Sequence, residues 1–184
     1  MSQAKAGAIH IALLRGINVS GRNRLPMADL VSIFEGAGSS DVVTYIQSGN
    51  VVLRAKDALA RKLPELVAAA IAKQFGYRIP VVMRSAPDFE RLVRSNPFES
   101  QGTSAKSLHV AFLENQPTAD QIAALDPKRS AGDRFEIIGK EIYLHCPNGL
   151  ARSKLTNAYF DAKLQTTSTF RNWRTTLHLY GMLR

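Results

Sequence analysis

IHIALLR at residues 9–15 and LHVAFLE at residues 108–114 share one pattern of apolar and polar positions. Each alternates with the period of two that marks a half-buried strand, and each has a histidine in second place, His10 and His109. Two copies of one strand predict two copies of the unit built on it. After the first copy, Met27, Leu30, Val31, Phe34 and Ala37 fall at helical spacing. Two β-rich runs, 42–46 and 51–53, are separated by QSGN (47–50), which reads as a hairpin with Gly49 at its turn. Asp57 can cap a long helix with the stripe Leu59, Leu63, Leu66, Val67, Ala70 and Ile71, ended by Gly76. Residues 79–83 make a fourth strand, so the order is βαββαβ. A short helix follows, with Pro87 near its start and Asp88 and Glu90 in its first turn.

The second copy repeats that order. A strand at 108–113, a helix at 119–125, a hairpin of 135–138 and 142–145 across Gly139, a helix at 152–164 and a Thr-rich strand at 166–169 are expected. A last helix, 171–183, presents Trp173, Leu177, Tyr180 and Leu183 as one apolar face. The expected fold is α+β, two tandem ferredoxin-like βαββαβ units plus a C-terminal helix. The first unit with its trailing helix takes 1–94, SNPFESQGTSAK (95–106) is the linker, and the second unit with the last helix takes 107–184.

Composition fits this division. The chain has 184 residues, 45% apolar and 21% charged, enough for one domain or two small ones and unlike a disordered or fibrous chain. The longest uninterrupted apolar run, 66–72, is too short to span a bilayer. The start, MSQAKAGAIHIALLRG, reads as a strand and not as a signal peptide. The single cysteine, Cys146, leaves no intrachain disulfide framework, and the expected compartment is the cytoplasm, with no membrane partner.

The net charge is +9, from 24 Lys+Arg against 15 Asp+Glu. Residues 1–28 hold Lys5, Arg15, Arg22 and Arg24 and no acid, whereas residues 29–149 are neutral. Residues 150–184 carry six basic side chains against Asp161 alone. A solubility device would spread its charge, so two basic ends point to a patch and an anionic partner. Acids favour helix starts. The helices near Asp57, Asp88 and Asp120 obey that rule. Three others break it, with Arg22 and Arg24 before the first helix, Arg152 and Lys154 in the fifth, and Arg171 and Arg174 in the last.

In a ferredoxin-like unit the first two strands run the same way, so the loop after the first strand and the hairpin turn share one edge. That edge gathers Arg15, Asn18, Ser20, Arg22, Asn23 and Arg24 with Gln47, Ser48 and Asn50. Basic side chains, amides, hydroxyls and a helix N-terminus together suit an oxyanion. The structural alternative is a long loop whose polar groups satisfy its own backbone, with Arg15 paired to a carboxylate.

Other motifs are weaker. GINVSGRN (16–23) nearly matches G-x4-G-K-[ST], but Arg22 and Asn23 replace the Lys and the hydroxyl, and a P-loop needs a parallel sheet. RNWR (171–174) invites base stacking on Trp173, yet that residue lies on the apolar stripe of the last helix. The order of elements matches the RNA recognition motif, but the third strands carry only Tyr143 where that module needs several aromatics. The four histidines (10, 109, 145, 178) show no metal-ligand spacing, and no cofactor pattern is present. Cys146 reads as a small buried hydrophobe, and Ser48 lacks the setting of a nucleophile elbow.

LLRGINVSGRNRLPMADL (13–30), TYIQSGNVVL (44–53) and RNWRTTLHL (171–179), in that order, resemble a bacterial family catalogued as domain of unknown function 1697. Members typically read GINVGGKN where this chain has Ser20 and Arg22. The resemblance implies a duplicated ferredoxin-like α+β fold, and it implies no activity, substrate or catalytic residue. Function rests on the residues. The favoured expectation is a phosphate-bearing ligand, nucleic acid or a nucleotide-like metabolite. Arg15, Arg22, Arg24, Lys154, Arg171 and Arg174 would supply charge, and Asn18, Asn23, Gln47, Ser48 and Asn50 would orient the ligand. The alternatives are an enzyme acting on a small anionic substrate in a cleft between the units, with His10 or His109 carrying protons, and a protein-interaction module.

Overall fold

The segment AIHIALL, read from its alternation as a half-buried strand, is buried on both faces from His10 onward. In the computed structural model, which describes residues 7–184, that segment is β1 (Ala8–Leu14), the inner strand of a sheet. Lys5, one of the basic residues of the N-terminal segment, lies outside the described residues. The first unit continues with α1 (Met27–Gly36), β2 (Ser40–Tyr45), β3 (Asn50–Ala55), α2 (Asp57–Ala60), α3 (Leu63–Phe75), β4 (Val81–Ser85) and α4 (Ala86–Arg94). Its sheet has the order β2-β3-β1-β4, with every neighbouring pair antiparallel. β1 and β2 are both antiparallel to β3, so they run the same way, as a ferredoxin-like unit requires.

On one face of β1, Ala12 and Leu14 join Leu30, Ile33 and Phe34 of α1 and Leu63, Val67 and Ile71 of α3 in one core. On the other face Ile11 and Leu13 are equally buried. The long helix expected from Asp57 to Gly76 is instead two helices. Pro64 lacks an N–H and sits in the first turn of α3, so the helix restarts there after a turn at Arg61 and Lys62. Gly76 ends α3 in the left-handed region, φ 80.

The second unit has β5 (Leu108–Leu113), α5 (Ala119–Ala123), β6 (Arg134–Ile138), β7 (Glu141–His145), α6 (Asn157–Leu164), β8 (Ser168–Asn172) and α7 (Trp173–Gly181). Its order, β6-β7-β5-β8, repeats the first. The repeat extends to register. His10 lies between Leu53 and Ser85, and His109 between Leu144 and Asn172. One step along, Ile11 stands beside Arg84 and Val110 beside Arg171. The core here is Ala111, Leu113, Ile142 and Leu144 under Tyr159, Phe160 and Leu164, with Phe160 ringed by Phe135 and Phe170. The chain is thus α+β, two four-stranded antiparallel sheets with helices. It divides into one unit up to Glu90 that includes Gly181–Arg184, and another, Arg91–Tyr180.

Three expectations need correction. The helix placed at 152–164 starts at Asn157, because the Thr156 hydroxyl accepts the Tyr159 N–H and fixes the start there. Arg152 belongs to a separate 3-10 turn, Leu150–Arg152. Arg171 is in β8, one of the residues pairing with β5, and not at a helix start. Lastly, α7 buries Trp173, Thr175, Thr176 and Leu179, while Leu177 is exposed. The segment read as a linker contributes Phe98, which is buried, carries the Arg134 guanidinium over its ring and lies 6.1 Å from the His145 ring at a 38° tilt. Glu99 accepts a hydrogen bond from Trp173 Nε1 at 3.0 Å. At the outer edge of the first sheet, β2 has a bulge between Ser40 and Val43, where Asp41 takes φ 50 and pairs with Arg54 at 3.2 Å.

Among the described residues no helix is long and apolar enough to cross a membrane.

Candidate functional site

Between β1 and α1 the chain spends residues 15–26 on a loop that turns back on itself. Asn18 N–H donates to the Asn23 carbonyl (3.1 Å) and Arg22 N–H to the Val19 carbonyl (2.9 Å). Ser20 and Gly21 between them have φ 49 and 76, the two positive values that a type I′ turn needs. The result is a miniature hairpin with Val19, Ser20, Gly21 and Arg22 at its tip. Ile17 and Leu25, one on each side of it, are buried in the core of the first unit.

Asn18 is the fastener. Its Nδ2 donates to the carbonyls of Leu25 and Gln47, each at 2.9 Å, and its Oδ1 accepts the Leu25 N–H at 2.8 Å. Asn23 Nδ2 donates to the Gly16 carbonyl (2.9 Å). Asn50, wholly buried, donates to the Tyr45 carbonyl (3.1 Å) and to Ser48 Oγ (2.9 Å), closing the β2–β3 turn. Gly49 lets the turn press on β1. A Cβ at this position would stand 2.6 Å from Leu14 Cβ, and the Gly49 carbonyl accepts the Leu14 N–H at 2.8 Å. The loop and the turn are therefore one body. Three of the amides expected to orient a ligand, Asn18, Asn23 and Asn50, bond backbone or loop groups.

The charges differ from the amides. Arg22 and Arg24 are exposed and, among the described residues, make no ion pair. Arg15 is half-buried, its N–H donating to the Pro80 carbonyl. Gln47 is exposed, and Ser48 is half-buried. The Arg24 carbonyl is held by the Tyr77 hydroxyl at 2.6 Å, which aims the backbone on either side of it. The N-cap of α1 is Pro26, which supplies no side-chain cap. So Arg15, Asn18, Arg22, Asn23, Arg24, Gln47, Ser48 and Asn50 do share one edge of the first unit.

Lys154, Arg171 and Arg174 belong to the second unit. All three lie towards the end of its sheet where β5 begins, near the contact of Cys146 N–H with the Ser107 carbonyl. Within that unit, this is the end opposite the loop after β5. Lys154 and Arg174 are exposed. Arg171 is 8% exposed, and its Nη1 donates to Thr169 Oγ1 (2.9 Å) and the Phe170 carbonyl (2.7 Å). Burial pushes its guanidinium down to about 10, still charged at neutral pH. Two open pockets lie at the same end. One, of about 310 Å³, is lined by Ser130, Asp133, Asn148 and Arg152, and the other, of about 460 Å³, by Ser104, Lys106, His145 and Cys146.

Within the first unit, His10 stands at the end of β1 opposite the loop. His10, 5% exposed, is near the start of β1, with Nε2 3.4 Å from Asp57 Oδ1. His109 occupies the matching place in β5, and burial lowers its pKa. Cys146 is buried, and burial together with Asp133 raises its thiol to about 11, too high for a nucleophile at neutral pH. Among the described residues no three His, Cys, Asp or Glu side chains group as metal ligands.

Residues 8–143 match the family described as a protein of unknown function (DUF1697), and the chain belongs to that family. The conserved bacterial protein SP0830 from Streptococcus pneumoniae has a similar structure, with a TM-score of 0.75 and 22% identity over 97% of this chain and all of that one. No curated protein matches the chain. The family match stops short of RNWR (171–174), so that motif lies beyond the shared span.

Proposed function

We propose that the edge formed by the β1–α1 loop and the β2–β3 turn binds a phosphate-bearing ligand, with Arg22 and Arg24 as the leading charges and Arg15, Gln47 and Ser48 beside them. One observation carries this. The two units make the same connection very differently. β1 reaches α1 through twelve residues, 15–26, with three arginines and no acid, whereas β5 reaches α5 through five, 114–118, with Glu114 and no base. The fold needs only the short version. A long, basic, tightly fastened loop on one copy alone is what function adds to a scaffold.

The chemistry supports the assignment. Guanidinium groups match phosphate oxygens two hydrogen bonds at a time, and a loop already fixed by Asn18 loses little freedom when a ligand arrives. Lys154 and Arg174, in the second unit, are proposed only as further sources of attraction for an anion. Thermal-shift measurements with inorganic polyphosphate, nucleotides and oligonucleotides, at low and high salt, test the reading. The parent protein is expected to gain stability at low salt and to lose that gain at high salt. Arg22→Ala and Arg24→Ala should each weaken binding by about tenfold. If both respond as the parent does, the site is elsewhere.

A further inference from the structure

The same edge carries a feature that phosphate binding does not use. Val19, at the hairpin tip, is 57% exposed, and Ile46, at the neighbouring turn, is 51% exposed. One hydrogen bond links their neighbours, from Asn18 Nδ2 to the Gln47 carbonyl. Ile46 also has φ 48, a left-handed conformation that a β-branched residue avoids and that Asn or Gly adopts cheaply. Two apolar side chains are thus presented to solvent on fastened backbone, one of them at a cost in strain, on the edge that also carries Arg22 and Arg24. Strain retained at an exposed position is a sign of use.

Resting on the phosphate reading, we propose that this edge binds duplex DNA, with Val19 and Ile46 entering the minor groove as apolar wedges and Arg22 and Arg24 on the flanking backbone. Apolar wedges, isoleucine among them, used together with arginine are the equipment of proteins that press into that groove. A single strand would ask for exposed aromatic rings to stack on. The tyrosines at this edge, Tyr45 and Tyr77, are half-buried, and the Tyr77 hydroxyl is held by Arg24. A lipid surface would ask for an amphipathic helix presenting tryptophan, phenylalanine or leucine, and the exposed apolar residues here are a valine and an isoleucine on two loops.

Fluorescence anisotropy on the full chain separates the contributions. The probes are a labelled duplex, the same sequence as a single strand, inorganic polyphosphate as competitor and phosphatidylglycerol vesicles. The duplex is expected to bind more tightly than the single strand. Val19→Ser with Ile46→Asn should weaken duplex binding by about tenfold and leave polyphosphate binding and the salt slope unchanged. Arg22→Ala with Arg24→Ala should weaken both ligands and reduce the slope by about one unit per arginine. Asn suits the backbone at 46, so the wedge variant keeps its fold, as its melting temperature will verify. Equal affinity for the single strand, capture by vesicles in place of the duplex, or a wedge variant that binds as the parent does would each overturn the proposal. If polyphosphate binds and duplex does not, only the wedge reading fails. If neither binds, the phosphate reading fails with it.

Discussion

Asn18 shows how much one side chain can decide. It closes the hairpin through three hydrogen bonds, two to Leu25 and one to Gln47, and so ties the loop to the turn of another hairpin. Asn18→Ala should lower the free energy of unfolding by about 2 kcal/mol, since partly buried backbone groups lose their partners. Urea denaturation would measure it, and an unchanged midpoint would refute the fastening role. Asn18→Asp should be worse, because a carboxylate oxygen would face the Leu25 and Gln47 carbonyl oxygens where the amide now donates. Ile46→Gly acts in the opposite sense. Relief of the left-handed strain is worth about 1 kcal/mol, less what glycine's extra freedom costs in the unfolded chain. The amino-acid sequence placed Asn18, Asn23 and Asn50 at this edge correctly and left two roles open, ligand contact or loop repair. Which carbonyl an amide reaches depends on how the chain returns, and spacing along the sequence carries no record of that.

Among the elements, α5 carries a reciprocal cap and so is clean to perturb. Thr118 Oγ1 accepts the Gln121 N–H and Gln121 Oε1 accepts the Thr118 N–H, a reciprocal pair in a helix of five residues. Thr118→Ala should cost about 1 kcal/mol in chemical denaturation, with no effect on ligand binding if the site is confined to the first unit. Strands were the most legible elements. The match of residues 9–15 to 108–114 predicted the equivalence of His10 and His109, which their strand partners reproduce. Helix starts were less so. Pro64 and Thr156 both mark where a helix begins, yet an apolar stripe running through each hides the break. Arg171 was misplaced for a related reason, since β8 passes into α7 without an intervening turn, and only its pairing with Val110 shows that it belongs to the strand.

For the whole molecule, pH reports on the half-buried histidines of the second unit. Burial lowers the pKa of His109, and that of His145 is lowered by burial and then by Arg134, against a smaller opposing effect of Asp133. The folded protein therefore binds these protons less readily than the unfolded chain, so stability should fall as pH drops below about 6.5, the ordinary histidine value. His109→Gln, which cannot be protonated there, should flatten that fall in urea midpoints taken from about pH 7.5 down to 5. A parent midpoint that rises on acidification would contradict the assignment. The net charge of +9 says nothing of where an anion would sit, and the proposal of a binding edge rests instead on the difference between the two β–α connections. A further consequence follows from the kink at Ser40–Val43. An outermost strand with bare N–H and C=O groups invites another chain to extend the sheet. Here the ladder is interrupted, Asp41 is turned out of register and tied to Arg54, and an incoming strand would find no continuous row to copy. The same few residues that bend β2 thus deny an incoming strand that edge of the first sheet while Val43 stays exposed.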